Sequence, residues 1–232
     1  MHQQMMIAYG AVAAGGDPYW ANVTSLLHFD GADASTTFTD VKGKTWTGAG
    51  NAQLDKAFFK WGSAALLLDG SGDYISTPGS TDYSPTGDFT CEAWIRPAAI
   101  GSIGAIASTR LSGNGWQFQV NADGTILVGW WGSWSGSFFG LTSTTVLAVN
   151  TYYHVRWCKS GSTYYLFVDG ILEASGTPAG IYASNTATLY LGYDPQAGGR
   201  YFNGHIDDFR ITNGVARSTS SFTPPTAAFP DS

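Results

Sequence analysis

The sequence predicts an all-β protein, a two-sheet antiparallel β-sandwich, and three observations support that prediction. Short runs of alternating apolar and polar residues recur along the chain, and clusters of Gly, Asn and Asp separate them. The composition includes 30 glycines and 15% aromatic residues but only 12% charged residues, which fits many strands joined by tight turns. No segment has the 3.6-residue apolar period of a helix. The 232 residues suffice for one domain of this kind with a sizeable core.

The first strand is predicted to run from Val23 to a turn formed by Asp30 and Gly31. Residues 1–20 show no strand alternation, so we predict an N-terminal arm there and a single sandwich domain over residues 21–232. The arm is either a disordered terminus or a docking peptide, because it contains several apolar residues. Later strands and hairpins are predicted at residues 45–47, 64–76, 88–97, 115–121, 124–131, 152–170 and 187–193.

The last strand is predicted within residues 204–217, which begin after a turn, carry two adjacent carboxylates and end at an Asn-Gly corner. Strict alternation places Asp207 and Asp208 on opposite faces of the sheet, unless a bulge interrupts it. A carboxylate on a sheet face must be solvated, paired or bound to a metal. The proline-rich tail beyond residue 222 is incompatible with regular sheet.

Charge and cysteine content narrow the class of partner. The formal net charge is -6 and no cluster of Lys and Arg occurs, so we expect no nucleic-acid partner. No apolar run reaches the length of a membrane span, so no membrane partner is expected, and the first 14 residues lack the basic start of a signal peptide. Cys91 and Cys158 fall in the middle of predicted strands, which is typical of buried, unbridged cysteines.

The order of several motifs gives most of the chain a family resemblance. After a first strand ending in Phe-Asp-Gly, the chain reads Ala-Leu-Leu-Leu-Asp-Gly-Ser-Gly-Asp-Tyr-Ile and then Asp-Phe-Thr-Cys-Glu-Ala-Trp-Ile-Arg-Pro. Tyr-His-Val, Leu-Phe-Val-Asp-Gly and a closing Gly-His-Ile-Asp-Asp-Phe-Arg-Ile follow. Over roughly residues 23–225, the chain resembles the LamG-like jellyroll domains of the concanavalin A-like lectin/glucanase superfamily. The resemblance implies that the first and last strands pair with each other.

The segments that flank the domain carry a second resemblance. Asp-Pro-Tyr-Trp before the first strand and Phe-Thr-Pro-Pro after the last one are similar to segments of domains in tailed-bacteriophage virion proteins. This implies a virion protein, assembled in the host cytoplasm, that attaches to other virion proteins through its arm or by forming a homo-oligomer. We expect a non-catalytic adhesion module for host-surface glycans, in which many copies offset weak single sites. The alternative is a capsid-decorating or tail-assembly subunit that binds no glycan.

The family resemblance also implies a structural calcium ion where the first and last strands meet. Asp30 would then lie near Asp207 or Asp208, and a carbonyl group of Gly31 or a neighbour would complete the oxygen ligands that calcium prefers. The alternative is that Asp208 pairs with Arg210 or accepts hydrogen bonds from turn amides.

An aromatic run at residues 129–140 supplies candidate ligand-binding residues. Alternation sends Trp130 and Trp131 to opposite faces, so one of them is predicted in the core, and Trp134 lies in a loop of Gly and Ser. Exposed aromatic rings suit sugars, whose C–H faces stack on them. Core packing plus a subunit contact explains the same residues, so both interpretations stay open. The candidates from later loops are Tyr193, Arg200 and Tyr201.

Catalysis is not predicted. The retaining glucanases of the resembled superfamily carry a Glu-x-Asp-x-x-Glu strand with two carboxylates about 5 Å apart. The two glutamates of this chain, Glu92 and Glu173, do not occur in that pattern. No histidine stands in a recognisable triad, and no phosphate loop, zinc spacing or nucleotide fingerprint occurs.

Overall fold

A computed structural model describes residues 16–132, 137–178 and 186–232. Within these residues the chain forms 15 strands and three short 3₁₀ turns, at Trp20–Asn22, Thr81–Tyr83 and Pro195–Ala197. The strands are β1 (Val23–Leu27), β2 (Thr47–Ala49), β3 (Gln53–Asp55), β4 (Ala65–Asp69), β5 (Tyr74–Thr77), β6 (Phe89–Pro97), β7 (Gly104–Ser108), β8 (Gly115–Val120), β9 (Thr125–Gly132), β10 (Ser137–Val146), β11 (Tyr153–Ser160), β12 (Thr163–Val168), β13 (Ile171–Gly176), β14 (Leu189–Leu191) and β15 (Asn203–Asn213). No described helical segment is long and apolar enough to span a bilayer.

The strands form two antiparallel sheets, which confirms the predicted sandwich. The first sheet has the strand order β13-β12-β11-β6-β15-β4-β3, and β1 also pairs with β15. The second sheet has the order β10-β9-β8-β7-β14-β5-β2. The core lies between the sheets and contains large rings such as Trp116, Phe118, Trp157 and Phe209. The two cysteines are buried and free.

The last strand, β15, runs through the middle of the first sheet and pairs with β1, as the family resemblance implied. Its register with β6 shifts between Asp207, which lies opposite Trp94, and Arg210, which lies opposite Glu92. The extra residue is Asp208, whose φ of 49° marks a bulge. Strict alternation is therefore broken, and both carboxylates lie on the outer face of the sheet.

A buried ionic layer covers the outer face of the first sheet. Glu92 is fully buried. Its Oε2 atom accepts two hydrogen bonds from Arg156, at 2.8 and 2.5 Å, and its Oε1 atom accepts two from Arg210, at 3.0 and 2.7 Å. Burial raises the pKa of Glu92, but the two guanidinium groups and His154 outweigh burial and hold that pKa well below its usual value. The Glu92 carboxylate is therefore ionised and paired with two guanidinium groups at neutral pH.

The two ends of the described chain meet on this face. The Asp17 carboxylate accepts hydrogen bonds from Arg210 at 2.9 Å and from Arg217 at 2.5 Å. The backbone N–H of Asp17 donates to the carbonyl of Ser232 at 2.6 Å, and the ring of Phe229 lies over the Arg210 guanidinium. Residues 1–15 lie outside the described residues, and the boundary between arm and domain at residue 20 stays a prediction.

Candidate functional site

A continuous row of residues crosses the outer face of the second sheet, on the side opposite the chain ends. Gly140 of β10 lies opposite Gly129 of β9, and Gly129 lies opposite Gln117 of β8. The register extends the row through Ser108, Tyr190, Ser76 and Thr47. At the usual strand spacing, this polar row is about 29 Å long. None of its residues belongs to the core between the sheets.

Phe138 lies directly over the glycine end of the polar row. A Cβ atom on Gly129 would stand 2.6 Å from Cε2 of the Phe138 ring, and one on Gly140 would stand closer still. Only glycine therefore lets the ring pack against the strands at both positions. The ring centroid of Trp131 is 4.8 Å away, and Phe138 is 50% exposed. This geometry presents a supported aromatic surface to solvent.

Arg110 lies in the loop between β7 and β8 and packs against the ring of Trp131. Its guanidinium carbon lies 3.9 Å from the centroid of the Trp131 ring, a cation–π contact. On its other side, Nη1 of Arg110 donates to Oδ2 of Asp194 at 2.7 Å, and Asp194 is fully buried. The second oxygen of Asp194 accepts the backbone N–H of Gln196 at 3.0 Å. Arg110 is thus fixed between a carboxylate and an indole ring.

Gln117 joins this aromatic group to a second set of side chains. Its Oε1 atom accepts hydrogen bonds from Nη1 of Arg110 and from Nη1 of Arg200, each at 3.3 Å. Arg200 also donates to Oε1 of Gln119 at 3.2 Å. Two guanidinium groups from different loops therefore converge on one amide oxygen in the middle of the polar row.

A stack of three tyrosine rings lies over the same face. One of them, Tyr201, directly follows Arg200 in the sequence. The Tyr193 ring lies between those of Tyr74 and Tyr201, with centroid distances of 4.9 and 4.8 Å and interplanar angles of 20° and 18°. Both faces of the Tyr193 ring are therefore covered, which leaves its edge and hydroxyl group for other contacts. Burial and the neighbouring Tyr201 raise the pKa of Tyr193, so the hydroxyl stays protonated at neutral pH.

The structure brings together most of the candidates for ligand binding. Trp131, Arg200, Tyr193 and Tyr201 share the outer face of the second sheet. Trp130 is the core member of its pair: it is 3% exposed, and its ring packs edge-on against that of Trp157 at 5.0 Å, so it does not reach this face. Trp134 lies outside the described residues.

Sequence reasoning missed three residues of the site. Phe138, Arg110 and Gln117 were not singled out, because each depends on which strands pair. The glycines at 129 and 140 were the available signal, since paired glycines within strands often mark close packing by another group.

Comparison with known proteins identifies the family. The family described as the concanavalin A-like lectin/glucanases superfamily matches residues 69–220. The chain belongs to this superfamily. No curated protein sequence matches the chain significantly.

Solved structures share the fold of this superfamily member. The binding domain of Paraclostridial Mosquitocidal Protein 1 is 14% identical, with a TM-score of 0.67 over 88% of this chain and 50% of that one. The botulinum neurotoxin serotype D binding domain is 16% identical, with a TM-score of 0.64 over 85% and 49%. A botulinum neurotoxin type C structure, whose cell entry depends on interaction with two ganglioside molecules, is 14% identical, with a TM-score of 0.64 over 84% and 48%. The chain thus spans about half the length of these structures.

The carboxylates predicted to bind calcium lie near the place where the first strand, β1, pairs with the last strand, β15. Asp208 accepts hydrogen bonds from Nδ1 of His28 at 2.5 Å and from the backbone N–H of Phe229 at 2.7 Å. The Asp30 carboxylate accepts from the backbone N–H and the hydroxyl group of Ser63, and the same hydroxyl accepts the N–H of Gly31. Protein donors therefore engage Asp30 and Asp208.

Asp207 differs from these two carboxylates. Its Oδ2 atom accepts the backbone N–H groups of Lys60 at 2.6 Å and Trp61 at 3.1 Å. Its buried Oδ1 atom has no partner among the described residues. Burial raises the pKa of Asp207 to about 7. No group of three or more His, Cys, Asp or Glu side chains in the described ranges has the arrangement of a metal site. Calcium binding stays a prediction from the family resemblance.

The two glutamates are held in structural roles. Glu92 lies within the ionic layer and is fully buried. The Glu173 carboxylate accepts hydrogen bonds of 2.5 to 3.0 Å from the backbone and hydroxyl groups of Thr144 and Thr145, which ties β13 to β10. The oxygens of both glutamates accept hydrogen bonds from neighbouring protein groups, whereas a retaining hydrolase of this superfamily uses a pair of carboxylates that face the substrate.

A pocket of about 470 Å³ opens at one end of β4, away from the aromatic site. Two of its lining residues are carboxylates. Asp69 accepts the backbone N–H of Ser71 at 2.7 Å, and Asp73 accepts those of Asn51 at 2.5 Å and Asp69 at 3.0 Å. These bonds shape the Gly-rich turn between β4 and β5, as is usual for Asp in turns.

Proposed function

We propose that this protein is a non-catalytic carbohydrate-binding module that holds glycans on the outer face of its second sheet. The observation that carries the proposal is the half-exposed Phe138 ring, which is supported by Gly129 and Gly140 and lies beside Trp131. Sugars offer C–H faces to such rings, and amide and guanidinium groups like those along the polar row hydrogen-bond their hydroxyl groups.

The comparisons support the same class of function. The superfamily is named for lectins and glucanases. The similar solved structures are binding domains, and one of them is described by its dependence on two ganglioside molecules. The engaged carboxylates of Glu92 and Glu173 favour binding over hydrolysis.

We propose further that the module serves as an adhesion subunit on a phage virion. The sequence resemblance of the flanking segments to phage virion proteins motivates this step. The ends of the described chain, at Asp17 and Ser232, meet on the face opposite the polar row, so attachment to other virion proteins on that side would leave the glycan face free. Homo-oligomerisation would raise the avidity of weak single sites.

A second candidate function is a structural role in the virion, such as capsid decoration or tail assembly. It is favoured by a second exposed aromatic pair, Phe58 and Phe59, which are 48% and 42% exposed in the segment between β3 and β4. In that case the aromatic residues would be buried in protein interfaces, since exposed apolar patches commonly mark such contacts.

A glycan-binding experiment with matched variants tests the proposal. The purified protein is applied to a broad panel of bacterial surface glycans beside Phe138→Ala and Phe59→Ala. We expect saturable binding that Phe138→Ala weakens by at least about tenfold, equal to about 1.4 kcal/mol, while Phe59→Ala binds as the parent does. Gly140→Ala should act like Phe138→Ala, because the added methyl group displaces the Phe138 ring.

The folding of each variant is checked by its melting temperature. Binding that is lost equally in the Phe138 and Phe59 variants would place the site elsewhere. A folded protein that binds none of the glycans would contradict the proposal and favour the structural role.

A further inference from the structure

The charges on the outer face of the second sheet do not balance. Arg110 has a carboxylate partner in Asp194, at 2.7 Å. Arg200 donates only to the neutral amide oxygens of Gln117 and Gln119, and no carboxylate in the described part of the chain forms a salt bridge with it. Among these contacts one carboxylate stands against two guanidinium groups, which leaves a net positive charge at this site of an otherwise acidic protein.

Hydrogen-bond donors also exceed acceptors at this point. Oε1 of Gln117 already accepts from both Arg110 and Arg200, whereas Nε2 of the same amide is buried and has no partner among the described residues. The Nε atom of Arg110 is likewise buried and unpartnered within those residues. A site with surplus donors and surplus positive charge matches a ligand that carries an ionised, acceptor-only group such as a carboxylate.

The aromatic surface lies one strand away from Gln117, the residue on which the two guanidinium groups converge. Gln117 is the direct neighbour of Gly129 across the β8–β9 pair, and the Phe138 ring lies over Gly129. Adjacent strands are separated by about 4.8 Å, which is comparable to the width of a pyranose ring. A sugar stacked on Phe138 can therefore direct a substituent toward Arg200.

We propose that the outer face of the second sheet selects saccharides that carry a carboxylate, with the sugar ring on Phe138 and the carboxylate paired with Arg200. The inference rests on the proposed function and names the class of ligand. Uronic acids and nonulosonic acids share this chemistry. A planar guanidinium with free donors suits a carboxylate because it can offer two parallel N–H groups to the two oxygens.

Two pairs of acidic and neutral glycans distinguish the sources and test the inference. Sialyllactose is compared with lactose, and trigalacturonate is compared with its carboxyl-reduced form, by calorimetry on the full chain. We expect at least one acidic member to bind at least about tenfold tighter than its neutral counterpart, as a charge-assisted pair allows. Raising the salt concentration should reduce this preference.

Variants locate the charge that is responsible. Arg200→Gln should abolish the preference, so that the acidic glycan and its neutral counterpart bind with equal affinity. Arg200→Lys should keep part of the preference, since it retains the charge but loses the planar donor pair. The matched control is Arg96→Gln, which removes an arginine that packs on Phe58, away from the site, and should keep the full preference.

The outcomes separate the two levels of the proposal. Equal binding of the acidic and neutral members of both pairs by the unmodified protein overturns the inference and leaves glycan binding intact. A preference that survives in Arg200→Gln also overturns it. A folded protein that binds neither member of either pair overturns the inference, and one that also binds no glycan of the broad panel overturns the proposed function as well.

Discussion

Asp17 and Arg217 stand 200 positions apart in the chain, and hydrogen bonds of 3.0 and 2.5 Å join their side chains. Arg210, in the central strand of the first sheet, donates to the same carboxylate. Burial raises the pKa of Asp17, but the hydrogen bond from Arg217 and the other donors outweigh burial and hold the pKa below its usual value. One carboxylate thus connects the N-terminal segment, the sheet and the C-terminal tail.

Removing that carboxylate should destabilise the fold. We expect Asp17→Ala to lower the free energy of unfolding by about 3 kcal/mol, because it leaves buried guanidinium groups without their partner. Urea denaturation measures the change. The control is Asp33→Ala, an exposed aspartate, which should change stability by less than about 0.5 kcal/mol. Equal effects of the two variants would show that the connection contributes nothing specific.

His154 should make stability depend on pH. It is fully buried, and burial lowers its pKa below the usual value although it hydrogen-bonds Glu92. The unfolded chain takes up a proton near pH 6.5 and the folded chain does not. This contribution to stability is therefore complete above pH 6.5 and is lost as the pH falls below it, by at most about 1.4 kcal/mol per pH unit.

His154→Gln should flatten the decline in stability between pH 7 and pH 5, measured by urea denaturation in calcium-free buffer. His28 affects the pH dependence of stability in the opposite direction, because its hydrogen bond to Asp208 raises the pKa of His28 and stabilises the fold at low pH. His28→Gln should therefore steepen the decline. Identical pH profiles for the parent and both variants would contradict this assignment.

Calcium should raise the melting temperature if the prediction from the family resemblance is right. A ligand that binds only the folded state stabilises it in proportion to the logarithm of its concentration. Asp207→Asn should remove the calcium-dependent shift, because it replaces a carboxylate whose Oδ1 atom has no partner within the described ranges. Magnesium at the same concentration is the control, since it demands a stricter geometry. Equal melting temperatures in calcium and in chelator would contradict the prediction.

Local patterns predicted much of the fold. Alternation and turn residues located most strands, and the motif order indicated that β1 pairs with β15. Four strands were not predicted: β3, β7, β10 and β13. β3 is only three residues long, while the Gly, Ala, Ser and Thr residues of β7 and β10 give little apolar contrast. The bulge at Asp208 could not be read from the sequence, because it depends on the register with β6.

The candidate site was only partly predictable for the same reason. Trp131, Arg200 and Tyr201 could be named from their residue types, but their meeting on one face depends on seven paired strands. Phe138 is next to another Phe in the sequence, so alternation alone does not say which ring faces outward. The burial of Glu92 follows from the terminal segments that cover its face, which no periodicity within β6 reveals.

The contact between Asp17 and Ser232 has a practical consequence. Because the described ends of the chain lie side by side, a tether fused to either one emerges at the same place, behind the sandwich as seen from the polar row. Copies anchored to a particle, or to a sensor chip, at the place where Asp17 meets Ser232 would turn Phe138 and Arg200 outward. Orientation is therefore built into the monomer, and a dense array of such copies would display a uniform lattice of sites to a cell surface.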